Sequence, residues 1–173
     1  MSAANTRSIR TVVALLEDEP GVLNRVASLF RRRNFNILSL NVGRTHQKGL
    51  SRLTLVVDAD DDTARRMEAN LYKLVNVLEV HDLTRTPALV RDLVLIKVRA
   101  TADKRSEILQ LAEVFRARVI DLSTDSLILE LTGTQDKIEG LLSVLAPFGI
   151  LEMAQSGVIA MTRSGAQHNP ITE

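Results

Sequence analysis

Residues 9–30 read IRTVVALLEDEPGVLNRVASLF, and the change of rhythm inside them decides the fold. Up to Leu16 the chain is apolar and β-branched, which predicts a mostly buried strand. Beyond the turn, Val22, Val26, Leu29 and Phe30 recur at helical spacing. Between the two patterns stand Glu17, Asp18 and Glu19, then Pro20 and Gly21. Pro20 suits a helix start, because the N–H it lacks has no intrahelical partner there. Arg31–Arg33 complement the negative end of the same helix.

Working outward, residues 36–44 (NILSLNVGR) and 50–58 (LSRLTLVVD) predict two strands joined by a polar turn at THQKG. A second amphipathic helix is expected from Thr63 to Val75, with Met67, Leu71 and Leu74 on one stripe. A strand at 77–83 (VLEVHDL) closes the unit. The segment TRTPALVRD reads as a linker, after which the pattern repeats. A strand at 93–100 precedes a helix at 103–117 that aligns Ile108, Ala112 and Phe115. Strands at 118–123 and 126–132 follow, then a helix marked by Ile138, Leu141, Leu142 and Leu145. A last strand spans 149–162, broken near Gly157.

The expected fold class is α+β: two tandem βαββαβ units, each a ferredoxin-like sandwich with two helices on one face of an antiparallel sheet. The expected domains are 1–84 and 85–165, with 166–173 a disordered tail.

Composition removes many functions of this topology. RNA-recognition domains stack bases on strand aromatics, but aromatics make up 3% of the chain and none falls in 9–16, 50–58, 93–100 or 126–132. With no cysteine, iron–sulfur, copper-thiolate and disulfide chemistry are excluded, and a reducing cytoplasm is the expected location. His46, His81 and His168 have no ligand spacing. Gly133 and Gly140 lack the Lys-Ser/Thr of a phosphate loop. Ser156 has no following helix to make a nucleophile elbow. With 22 basic against 21 acidic residues, charge points to no polyanion. No signal peptide or membrane-spanning run is apparent. Asp60–Asp62 stand where carboxylates favour a helix start. Nothing assembles into a catalytic constellation, so the chain reads as non-enzymatic.

What remains is the acidic turn, and it has two readings. Asp18 could cap the helix. Alternatively, the amides from about Gly21 to Leu23 could receive a carboxylate while Asp18 accepts from an ammonium, a socket for a free amino acid.

The stretch LLEDEPGVLNRVASLFRRRNFNILSLNVGRT is similar to the start of the regulatory (small) subunit of acetohydroxyacid synthase, also called acetolactate synthase. The likeness continues through LSRLTLVVD, LYKLVNVLEV, LVLIKV, EVFRARVIDLS, LTGTQDKIEGLL, PFGI and QSGVIAMTRS. The first half thus resembles an ACT domain, a βαββαβ module that binds amino acids.

The resemblance implies a subunit with no catalytic site or cofactor of its own. It implies a partner, a catalytic (large) subunit carrying thiamine diphosphate, magnesium and FAD, which the small subunit activates and makes sensitive to valine or another branched-chain amino acid. It also implies a homodimer with valine between paired ACT domains. The family's ligand positions match Asp18, Pro20, Gly21, Val22 and Leu23 of one chain and Asn36 and Ile37 of the other. The sequence departs from the family in having Asp18 for a common Asn, Asn34 for Gly and Leu38 for Glu. Leu38, Leu40 and Val42 on an expected edge strand suit burial against a second copy. The alternative is a free-standing ACT protein that senses an amino acid for another partner.

Overall fold

The computed structural model describes residues 7–165, so the tail expected to be disordered lies outside the described residues. The chain divides into two compact units. One runs to Leu89 and resumes at Val158; the other is Val90–Gly157.

In the first unit β1 (Ser8–Glu17), α1 (Val22–Arg33), β2 (Ile37–Arg44), β3 (Leu50–Ala59), α2 (Asp61–Leu71) and β4 (Val77–Asp82) follow the expected order. The antiparallel sheet is ordered β2-β3-β1-β4, which leaves β2 at an edge. Period-2 alternation sends Val12, Ala14 and Leu16 with Leu53, Leu55 and Val57 to one face. There they meet Val22, Val26, Leu29 and Phe30 of α1 and Met67 and Leu71 of α2.

Asn34 ends α1 in the left-handed region at φ 56, where Asn is favoured after Gly. Phe35 then turns back to meet Phe30 edge-on, with ring centroids 5.5 Å apart. At the start of α2, Asp60 accepts from the Thr63 amide at 2.7 Å, and Asp61 and Asp62 fill the first turn. The helix begins at Asp61, earlier than the apolar stripe indicates, because this cap sets its start.

The opposite face of the sheet is not bare. Val158–Thr162, including β9 (Ile159–Thr162), reaches it. The Val158 amide donates to Ser39 Oγ at 3.1 Å, and Arg52 Nη2 donates to the Ala160 carbonyl at 2.9 Å. Burial lowers the pKa of Arg52 while Glu79 acts to raise it. The strand expected over 149–162 with a break near Gly157 is two strands on either side of that glycine, and both have the strand at Ala88–Arg99 as a neighbour. β8 (Ile150–Gln155) pairs with β5 (Ala88–Arg99) from Val94 to Val98. Beyond β9 the Arg163 amide donates to the Pro87 carbonyl at 2.9 Å.

The second unit contains most of β5, then α3 (Arg105–Phe115), β6 (Arg118–Leu122), β7 (Ser126–Gly133), α4 (Gln135–Leu145) and β8. Its strand order is β6-β7-β5-β8, and Val94, Ile96, Val98, Ile108, Leu129, Ile138 and Leu141 are among its core. The segment read as a linker is strand from Ala88 onward. Its polar end is anchored, since buried Asp92 accepts from Gln155 Nε2 at 2.6 Å and from the Ser156 hydroxyl at 2.9 Å.

Candidate functional site

The acidic turn between β1 and α1 is held from behind by a buried asparagine. Asn76 Nδ2 donates to Glu17 Oε2 at 2.6 Å, its carbonyl oxygen accepts from the Glu17 amide at 3.0 Å, and Arg25 of α1 donates to its Oδ1 at 2.7 Å. The turn is also fastened to the β2–β3 hairpin. The Asp18 amide donates to the Gly49 carbonyl at 2.7 Å, and Arg44 Nε donates to Asp18 Oδ2 at 3.2 Å.

Pro20 precedes the helix and lies in the turn instead of starting the helix. Gly21 is the N-cap residue, with φ 87, a conformation that glycine adopts without the steric penalty of a Cβ. Its carbonyl accepts the Arg25 amide at 3.0 Å, the first helical bond. Gly21 has no side chain with which to cap the helix, and among the described residues the Asp18 carboxylate is bonded to Arg44. The capping role considered for Asp18 is thus not seen; its carboxylate is turned toward Arg44. A Cβ built at Gly21 would meet nothing within 4 Å, so the backbone here is open to approach. The first-turn amides of a helix have no intrahelical acceptor, and a negative group is favoured beside them.

The structure places the matched residues in two groups. Asp18, Pro20 and Gly21 are exposed and Leu23 is half-exposed. Val22 is a core residue, and its amide already donates to the Glu19 carbonyl at 3.4 Å, so a ligand carboxylate would have to share or displace that bond. Asn36 is exposed, and Ile37 packs partly against the core. One chain does not bring the groups together: they flank the two ends of α1, a 12-residue helix about 18 Å long. The cavity beside Asn36, which also touches Asn34, Phe35 and Asp58, measures about 20 Å³, room for about one water and not for an amino acid.

On the edge strand, Leu38 is 51% and Val42 39% exposed. Leu40 instead packs on its own core. The pairing register shifts between Ile37 and Ser39, so Leu38 stands at an irregularity of the ladder.

Arg44, Arg25 and Asn76 carried no signal in the sequence reading. Their partners lie 26 to 59 residues away, and a single long-range side-chain bond leaves no local periodicity.

Two family models match the chain. "AHAS small subunit-like ACT domain" covers residues 13–79, and "Small subunit of acetolactate synthase" covers 91–164. The acetolactate synthase small subunit of Mycolicibacterium smegmatis is 48% identical over 92% of this chain and 94% of its own length. That of Aquifex aeolicus is 42% identical over 88% of this chain and 80% of its own. The crystal structure of the small subunit from Thermotoga maritima superposes with a TM-score of 0.83 at 40% identity, covering 90% of this chain and 98% of that one.

Proposed function

As the chain belongs to the family of acetolactate synthase small subunits, with an ACT domain in its first half, we propose that it is the non-catalytic regulatory subunit of that enzyme. In this reading it binds valine between two copies and activates a separate catalytic subunit in the cytoplasm. Thiamine diphosphate, magnesium and FAD would all belong to that catalytic partner.

One observation carries the two-copy site. The candidate residues sit at opposite ends of one exposed edge strand: Asn36 and Ile37 at the start of β2, and Asp18 tied to Arg44 at its end. Two such edges paired antiparallel across a twofold axis set the start of one β2 beside the end of the other. The complete socket then appears twice per dimer, and in neither chain alone. The edge strand finds its missing hydrogen-bond partners in the same step.

The reading is tested by adding the purified chain to a catalytic subunit of acetolactate synthase. Acetolactate formation should rise on addition, and valine should lower it again. The chain alone, supplied with thiamine diphosphate, magnesium and FAD, should form none. A chain that binds valine yet leaves the catalytic subunit unchanged would favour a free-standing amino-acid sensor.

A further inference from the structure

Arg44 closes β2 opposite Ser51, and its Nε donates to Asp18 Oδ2 at 3.2 Å. Folding has little need of this pair. The main-chain bond from Asp18 to Gly49 already ties the turn to the hairpin. The arginine side chain is 87% exposed, where an isolated ion pair adds little stability. What the pair does provide is a cation and an anion side by side next to the open start of α1. Only Nε makes the bond to Asp18, which leaves the terminal amino groups of the guanidinium for another acceptor.

We infer that Arg44 is a specificity-determining residue of the amino-acid site, taking a carboxylate oxygen of the ligand whose ammonium meets Asp18. This rests on the amino-acid reading given above. An α-amino acid carries both charges on one carbon, so it can engage both members of the pair at once. Arginine presents a planar fork that matches a carboxylate. The ligand class is thereby narrowed to zwitterions with both ends free. A 2-oxo acid of the same shape lacks the ammonium for Asp18, and an amino-acid amide lacks the anion for Arg44.

Calorimetric titration of the full chain with L-valine and with L-valinamide, whose neutral amide replaces the carboxylate, separates these roles. Arg44→Gln should weaken valine about 10-fold, equivalent to ~1.4 kcal/mol, and change valinamide by less than about twofold. The preference for valine over valinamide should therefore shrink with the variant, and Arg44→Lys, which keeps the charge without the fork, should restore part of it. Exposure of the side chain means that both variants should melt with the wild type. Should Arg44→Gln melt early, the valine-to-valinamide ratio of Arg44→Lys carries the same test. Equal weakening of both ligands, or tighter valine binding by Arg44→Gln, overturns the role given to Arg44 while leaving valine binding intact. A wild-type chain that binds no amino acid overturns the amino-acid reading itself.

Discussion

Replacing Gly21 by alanine isolates the backbone term of the acidic turn. A Cβ there would meet no atom, so the cost is conformational, about 1–2 kcal/mol for a left-handed L-residue. A lower urea midpoint with an unchanged slope would register it. Asp18→Ala should do the reverse. With no cap to lose, the variant forfeits only an exposed ion pair, worth at most about 1 kcal/mol. A charge-assisted bond to the ligand ammonium is worth roughly 1.5–3 kcal/mol, so valine should bind about 10- to 100-fold more weakly. Asn36→Ala, remote from the helix start, should also lose affinity and melt normally. Unchanged affinity in both variants, read by calorimetry, would remove the site from this surface.

At the scale of elements, the sequence patterns located strands and helices through their periods and missed what side chains decide at their ends. For α2 the acids Asp60–Asp62 did mark a helix start, and Asp60 is the cap, but the helix stops at Leu71 and not at the expected Val75. The stretch before Leu93, TRTPALVRD, reads as a linker in the sequence. Asp92 is nonetheless buried, held by Gln155 and Ser156, and burial of a satisfied carboxylate cannot be seen in composition. The socket was legible in the same uneven way. Its turn and its Asn-Ile pair could be named, while Arg44 could not, since its meaning depends on a partner across a hairpin.

The start of α2 also sets an acid limit on stability. The bond from the Thr63 amide holds the Asp60 carboxyl below the usual range, and the buried guanidinium of Arg10, with Arg85 in support, does so for Asp61. Carboxyls depressed in the folded state stabilise it above their unfolded pKa, about 3.9. That contribution is lost as pH falls through the folded values. Glu68 works against this limb, because burial, then Asp82, raises its carboxyl. Stability should therefore fall below pH about 4, and Asp60→Asn with Asp61→Asn should flatten the fall while lowering stability at neutral pH. Urea unfolding across the acid range gives both readings.

For the whole molecule, truncation is the informative experiment. Residues 1–84 hold all four strands and both helices of the first sheet, together with every candidate ligand position. They lack Val158–Thr162, whose bonds to Ser39 and Arg52 lie on the face away from the helices. The fragment should still dimerise and bind valine. Two lost hydrogen bonds, each worth about 0.5–1.5 kcal/mol, should make it melt earlier than the full chain. Activation of the catalytic subunit should be incomplete without the second half. A fragment that folds and binds no valine would count against placing the site in this unit.

That returning segment has a consequence for synthesis. Emerging from the ribosome, the chain exposes the first sheet complete in its strands by Asp82, yet Val158–Thr162 comes only after the second unit has followed. At ordinary elongation rates, roughly 4–16 s separate the two events. During that interval the far face of the sheet is without its own last segment while neighbouring nascent chains carry the same half-finished surface. The unit begun first is completed last, and premature termination in the second unit would leave the first permanently without that segment.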